Sequence, residues 1–589
     1  MALYEEKEIR NFTFDPRQGL RLVSYLKPYR LRVLTALCLM CLSAIVGQIG
    51  PRLTQIIVDD HVLQGDMSGS AWTILLFFLS IALYYILQYS QTLITEMTAQ
   101  YVMRDIRRHV FTHLQRLPIR YFDQTPLGRI ITRATNDVET LSKFFSEGIV
   151  SGFMDLFILI AIIAFMAHMD IELTFICSTI IPILFIGSFY LQGSIMKAYR
   201  ELRFRLARLN VYLEENISGI EVVQLFNRQK RNLREFDHEH LPYRRAAERE
   251  IHYFAILFPF NEFIGNLGMA LIIWYGASLV SEERIALGVL VAFLQYVRRF
   301  FPPIMNINDR YALMQNAMAA SERIFELLDS PAESRGGPRC EIGTDHNGSI
   351  EFRNVHFKYD PDDDEFVLKG VSFQVQAGQS VALVGATGSG KTTIINLLCR
   401  FYEIQEGTIL VDGRDVRTWH VEDLRRRFGI VQQDVLLFSG DITNNIRLGN
   451  RYIDSQRVEI AARFVNADSF IRRLAKGYEH PVTEGGSTLS VGERQILAFA
   501  RALVIDPEIL ILDEATSSID PETEELIQDA MGKLMQGRTS IIIAHRLSTI
   551  RSADQILVMH RGEIRERGRH EDLVRQDGIY ARLHQLYQG

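Results

Sequence analysis

Six long apolar runs lie within the first 305 residues of this chain: Val33–Gln48, Trp72–Gln88, Ile149–Ala167, Ile171–Leu191, Phe254–Val280 and Ile285–Val297, the last extending to Met305. A helix needs about 20 apolar residues to cross roughly 30 Å of hydrocarbon, and several of these runs reach that length. So many in half a chain argue against buried helices of a soluble domain and for a six-helix membrane domain. The run at Val33 starts behind a charged stretch without an evident cleavage site, unlike a secretory signal.

Loop charge sets the expected topology. The segment 100–145 carries Arg104, Arg107, Arg108, Arg116, Arg120, Arg129, Arg133 and Lys143, and 196–250 is richer still. The opposing loops are short and nearly free of Lys and Arg: Val58–Ser70 and His168–Glu172 have none, and Ser281–Ala286 has only Arg284. Positive charge stays cytoplasmic, so both termini are expected on the cytoplasmic side of a multi-pass inner (cytoplasmic) membrane protein. The two basic loops, of about fifty residues each, read as helices continuing below the membrane and joined by turns. Gly128 marks the expected first turn, and Asn216–Gly219 lies in the second.

Residues 330–349 are rich in proline and glycine and read as a linker. Beyond them short apolar strands alternate with amphipathic helices, the pattern of an α/β parallel sheet. The expected domains are therefore 1–329, a six-helix transmembrane domain; 330–349, the linker; and 350–589, an α/β nucleotide-binding domain. Lys and Arg number 64 against 70 Asp and Glu, for a net charge of −6, and this balance excludes a strongly basic nucleic-acid binder. Five scattered cysteines exclude a disulfide-framed scaffold.

The strongest motif is Gly385-Ala386-Thr387-Gly388-Ser389-Gly390-Lys391-Thr392-Thr393. It follows the apolar run Val381–Val384 and opens a helical pattern, which is the context a phosphate loop requires. The glycines let backbone N–H groups curl around phosphates, and the helix N-terminus adds partial positive charge. Lys391 is expected to reach the β- and γ-phosphates of ATP, and Thr392 to ligate Mg²⁺. Downstream, Ile509–Leu512 reads as a buried central strand delivering Asp513 and Glu514 at its end. Asp513 fits the Mg²⁺ role and Glu514 the base that polarises water.

Between these motifs lies Leu489-Ser490-Val491-Gly492-Glu493-Arg494-Gln495, and here the chain resembles the ATP-binding cassette (ABC) family. The resemblance implies further roles. Tyr359 stacks on adenine, Gln433 senses Mg²⁺ and faces the membrane domain, and His545 contacts the γ-phosphate. Ser490 and Gly492 hold the opposite subunit's ATP, Ser517–Asp520 crosses the dimer interface, and Glu484 touches helices from the membrane domain. It covers the whole chain and implies a half-transporter of the multidrug-exporter type (type IV fold), with a second half-transporter, membrane lipids and a drug, lipid or peptide substrate as partners and no nucleic acid.

The signature departs from the family pattern Leu-Ser-Gly-Gly-Gln. Val491 adds a side chain where backbone must approach closely, and Glu493 adds negative charge near a triphosphate. The expectation is one subunit of a heterodimeric exporter with one hydrolysing and one degenerate site. The alternatives are a homodimeric lipid flippase and an ATP-gated channel or regulatory subunit. Asp155, Glu262, Arg298 and Arg299 lie within the spans and are expected to face a cavity or one another.

Overall fold

The computed structural model describes residues 16–65, 69–339, 348–513, 521–544 and 547–588. Two compact units emerge. One holds the residues up to Gln115 with Pro126–Ser330, and the other holds Arg116–Thr125 with the chain from Pro331 onward.

The first unit is helical, because in hydrocarbon every N–H and C=O must find its partner within the protein. A short helix α1 (Pro16–Ser24) precedes α2 (Arg30–Gly47), α3 (Ile49–Ile56) and α4 (Ser70–Leu114). After α5 (Ile119–Gln124), which belongs to the other unit, come α6 (Ser151–Met169), α7 (Ile180–Ser218), α8 (Gln229–Ser281) and α9 (Leu287–Asp329). Among the described residues five stretches are long and apolar enough to cross a membrane: Lys27–Val62, Ser70–Leu114, Leu127–Met169, Ile171–Ser218 and Gln229–Ser281. The sixth apolar run lies in α9, where Arg298, Arg299, Pro302 and Pro303 interrupt it. The 45 residues of α4 and 53 of α8 span about 68 and 80 Å at 1.5 Å per residue, so both continue well beyond a 30 Å core.

The first turn sits elsewhere than expected. Gly128 lies inside a short helix, Leu127–Thr132, with nothing near its missing Cβ. The chain breaks instead at Pro118 and Pro126, both in extended conformation ahead of a helix start, because neither can donate a backbone hydrogen bond. The second turn is where the sequence placed it, with α7 ending at Ser218 and Gly219 following.

The first membrane helix is interrupted at Gln48, between α2 and α3. Pro51 has no N–H to give the carbonyl four residues earlier, that of Gly47. Arg299 of α9 donates to that Gly47 carbonyl, and the Tyr296 hydroxyl donates to the Gln48 carbonyl at 2.8 Å. Elsewhere α7 and α8 form a tight pair. The buried Ser188 hydroxyl donates to Asn261 Oδ1 at 2.8 Å, and any Cβ on Gly187 would come within 2.2 Å of the Phe260 ring.

The spans' charges do not pair as one set. Asp155, 9% exposed, accepts from Asn306 Nδ2 at 3.4 Å and lies 3.9 Å from Arg310 Nε. Arg298 and Glu262 are exposed, and Arg299 caps the helix break. Farther along α9, Arg323 makes a two-pronged contact with the buried carboxylate of Asp137, and Arg133 meets Glu326 at 2.9 Å.

The cassette unit is α/β. Its strands are β1 (Ile350–Phe357), β2 (Leu368–Val375), β3 (Ser380–Val384), β4 (Glu406–Val411), β5 (Arg414–Asp415), β6 (Phe428–Val431), β7 (Gly440–Asp441), β8 (Pro481–Val482), β9 (Ile509–Asp513), β10 (Thr539–Ile543), β11 (Gln555–His560) and β12 (Glu563–Gly568). The main sheet runs β12-β11-β3-β10-β9-β6, parallel except for β12. A separate antiparallel sheet, β2-β1-β4-β5, packs against it through one shared apolar core that includes Phe352, Val371, Leu383 and Ile541. Ile509–Leu512 and Ile541–Ile543 are each at most 2% exposed, as central strands covered on both faces must be.

Arg323→Met strands the buried Asp137 carboxylate, at a cost of about 3 kcal/mol. Thermal unfolding of the purified protein should show a clear drop in Tm, recovered in large part when Asp137→Asn is added.

Candidate functional site

Register along the main sheet assembles the candidate site. Ile543 of β10 stands opposite Asp513 of β9 and Leu383 of β3, and Val431 of β6 stands opposite Leu512. The carboxyl ends of four parallel strands therefore line up, which is where open α/β sheets bind ligands. The loop 385–390 leaves β3 at this edge and feeds α10 (Lys391–Leu398). Gly388 has φ of 79° and Gly390 102°, and a Cβ on Gly390 would come within 2.6 Å of Leu368. Glycine is required there by backbone conformation and by space.

Lys391 is 7% exposed, and its Nζ donates to the carbonyls of Gly385 at 2.8 Å and Ala386 at 3.1 Å. Burial pulls its ammonium below the ordinary lysine value, and the nearby Asp513 charge opposes that shift. Ser389 is buried, and its Oγ has no hydrogen-bond partner among the described residues. Thr392 presents an exposed hydroxyl at the start of α10, whereas Thr393 is buried. Gln433 is exposed two residues beyond β6. Thr392, Gln433 and Asp513 are hard oxygen donors on this one edge, the donor type Mg²⁺ takes. Glu514, His545 and the segment 517–520 lie outside the described residues.

Tyr359, two residues past β1, is held from several sides. Phe357 and Tyr402 each meet its ring edge-on at 4.9 Å between centroids. Its hydroxyl lies 3.1 Å from Thr393 Oγ1 and 3.4 Å from Asn396 Nδ2. Tyr359, Asn396 and Tyr402 line a cleft of ≈ 370 Å³ together with Asp360, Asp363, Arg120, Asp123 and Gln124. The last three come from α5, so the segment between Pro118 and Pro126 is part of the cassette unit and of this cleft. Tyr402 donates to the Asp123 carboxylate, and Arg120 lies 3.8 Å from Asp360. Burial, with this bond second, holds the Tyr402 phenol well above the ordinary tyrosine range. Nothing local in the sequence marks Asp123 or Tyr402, which are 279 residues apart.

The signature forms the start of α11 (Val491–Val504). Ser490 caps it: Glu493 N–H donates to Ser490 Oγ at 3.2 Å, and Ser490 N–H donates to Glu493 Oε2 at 2.8 Å. This reciprocal cap ties the Glu493 carboxylate to the helix N-terminus, where negative charge is stabilised. The Ser-x-x-Glu spacing announces such a cap, a signal the charge argument passed over. Val491 is 45% exposed and Gly492 buried. Glu484 is exposed.

Residues 33–304 match the family described as ABC transporter transmembrane region, and 368–517 match that described as ABC transporter. The chain is 40% identical to a "probable multidrug resistance ABC transporter ATP-binding/permease protein" of Bacillus subtilis, over 85% of this chain and 74% of that one. It is 33% identical to an "ATP-dependent lipid A-core flippase" of Syntrophus aciditrophicus, over 98% of this chain and 96% of that one. Among solved structures it is similar to a bacterial Atm1-family ABC exporter with ATP bound, at a TM-score of 0.76 and 29% identity, covering 95% of this chain and 98% of that one.

Base–aromatic stacking contributes roughly 1–3 kcal/mol. Tyr359→Ala should therefore weaken binding of a fluorescent ATP analogue by about tenfold or more, and Tyr402→Ala, which removes the ring bracing Tyr359 and the bond to Asp123 but leaves Tyr359 itself, by less.

Proposed function

The chain belongs to the ABC transporter family as an ATP-hydrolysing, multi-pass membrane exporter, and from that premise we propose that it forms one half of a heterodimer with two unequal ATP sites. It moves hydrophobic or amphipathic molecules out through the cytoplasmic membrane, with both termini on the cytoplasmic side. The names carried by its relatives, a multidrug transporter and a lipid flippase, support that substrate range.

The observation that carries the asymmetry is the contrast between two edges of one cassette. On its own ATP this chain brings a phosphate loop whose Lys391 is buried over the loop, with Asp513 at the adjoining strand end. In this reading Lys391 and the loop amides hold the phosphates, and Tyr359 holds the base. Thr392, Gln433 and Asp513 hold Mg²⁺, which supplies charge neutralisation at the phosphates. Glu514 takes the proton of the attacking water, and His545 donates to the γ-phosphate. Toward the opposite ATP the chain offers Val491, whose exposed side chain stands where glycine lets backbone approach. That second site mainly holds nucleotide. Since Glu493 is tied into the helix cap, the steric effect of Val491 carries more of the argument than the carboxylate does.

Movement passes through the cytoplasmic turns. The first, 116–125, packs with the cassette through Tyr402 and Asp123. The second presents Ile217, Val222, Leu225 and Phe226, all more than half exposed. Leu436, Phe438 and Tyr452 form an equally exposed apolar set on the cassette. The proposal seats this second turn on the partner's corresponding surface.

Two measurements test this reading. In the complex of this chain with its partner, Glu514→Gln should lower ATP turnover by roughly 10²–10⁴-fold, while Val491→Gly with Glu493→Gln should change it by less than about threefold. Full turnover and transport by this chain purified alone, from two equivalent sites, would refute the asymmetry.

A further inference from the structure

At the break in the first membrane helix, two guanidinium groups stand without a carboxylate among the described residues. Arg52 lies in α3, just past the break in the first helix, and its Nη1 reaches only the Gln55 side chain. Arg299 lies in α9 and donates one of its five N–H groups to the Gly47 carbonyl. Among the described residues neither arginine pairs with Asp or Glu. Arg299 also reaches Gly50, two residues before Arg52, so both charges stand at the break in the first helix. Arg299 sits about 18 Å down α9 from Leu287 at 1.5 Å per residue, near the middle of the hydrocarbon.

The surrounding groups keep polar capacity in hand. Tyr84 packs its ring on Gly47, 3.1 Å from where a Cβ would stand, and its hydroxyl is within reach of the Arg299 charge. Gln48 is 4% exposed, and its Oε1 has no hydrogen-bond partner among the described residues. Gly50 leaves room beside Arg299, whose Nη2 lies 3.7 Å from the position of a Cβ there. The carboxylates that could neutralise the pair are engaged or distant. Asp155 is taken by Asn306 and Arg310, and Asp59 accepts from the Gly288 N–H at 2.6 Å. Glu262 lies about 28 Å along α8 from Ser281, against about 18 Å for Arg299 along α9 from Leu287. A positive charge at mid-membrane without a counter-ion costs several kcal/mol unless water or an anion meets it.

We propose that Arg52, Arg299, Tyr84 and Gln48, gathered at the break in the first membrane helix, form a subsite for the anionic headgroup of an amphiphile, a carboxylate or a phosphate monoester. The two guanidiniums hold the anionic oxygens, and Gln48 Oε1 accepts from a hydroxyl of the headgroup or its water. The helix break serves the site as well as costing a hydrogen bond, because it presents the backbone and Gln48 to the same spot. This assignment rests on the export reading and narrows its substrate range to anionic amphiphiles.

The test is photolabelling of the assembled transporter in nanodiscs with a diazirine-bearing palmitate, mapped by mass spectrometry. Label should fall on peptides containing Gln48–Gln55, Tyr84 or Tyr296–Arg299. Excess palmitate or lysophosphatidate should compete, and hexadecyltrimethylammonium should not; the stronger of the two anions identifies the headgroup as carboxylate or phosphate. Arg299→Gln keeps a donor for the Gly47 carbonyl and removes the charge, so it separates the two roles of this residue. Arg299→Gln and Arg52→Gln should each cut specific labelling by roughly tenfold, and Arg299→Lys by far less. Equal competition by the cationic amphiphile, or unchanged labelling in Arg299→Gln, would overturn the assignment and leave Arg299 as a cap alone. Failure of the export reading registers separately, as labelling that persists without ATP-dependent movement of the probe into inverted vesicles.

Discussion

A peptide group in hydrocarbon has no water to bond, and that constraint organises the membrane half of this protein. Where proline removes a donor, the freed carbonyl is met by a neighbouring helix, a side chain, water or a local adjustment of the helix. Pro51 leaves the Gly47 carbonyl open, and Arg299 and Tyr296 arrive from α9 to serve Gly47 and Gln48. The first and last membrane helices are thereby tied at a point where both carry irregularities, since Pro302 and Pro303 follow Arg299 in α9. An interaction that begins as backbone repair also fixes where two positive charges stand.

The cassette follows a different constraint, the register of a buried parallel sheet. Because Asp513, Ile543 and Leu383 are aligned, groups from motifs far apart in sequence arrive at one edge. The central strands are apolar on both faces, so the sheet cannot slip without burying polar groups. The phosphate loop, the acidic strand end and Gln433 keep their relative places on that frame, and the segment from α5 adds a wall to the cleft beside Tyr359. That cleft and the segment 116–125 are thus physically connected through Tyr402 and Asp123.

The legible parts of the sequence were those whose signal is local. A strand, a glycine loop and a helix occupy the consecutive residues 381–398, and the structure builds them as read. Helices longer than a bilayer were legible from apolar runs continuing into basic segments. The first turn was misplaced because glycine was weighed above the two prolines that flank it. Glu493 was read by its charge alone, although its spacing from Ser490 also spells a helix cap. The pairings Asp155 with Arg310, Asp123 with Tyr402 and Gly47 with Arg299 join residues more than 150 positions apart. No periodicity encodes them; they exist only once the helices are packed.

In the proposed heterodimer each ATP edge of this chain serves a different site, and only the edge that faces the partner departs from the family signature, at Val491 and Glu493. The most direct measurement of that division is the nucleotide trapped by vanadate in the purified complex during turnover. Unequal sites predict one trapped ADP per dimer, cross-linked from an azido analogue to peptides of this chain's phosphate loop around Lys391. Two trapped ADP molecules per dimer, divided equally between the subunits, would contradict the account.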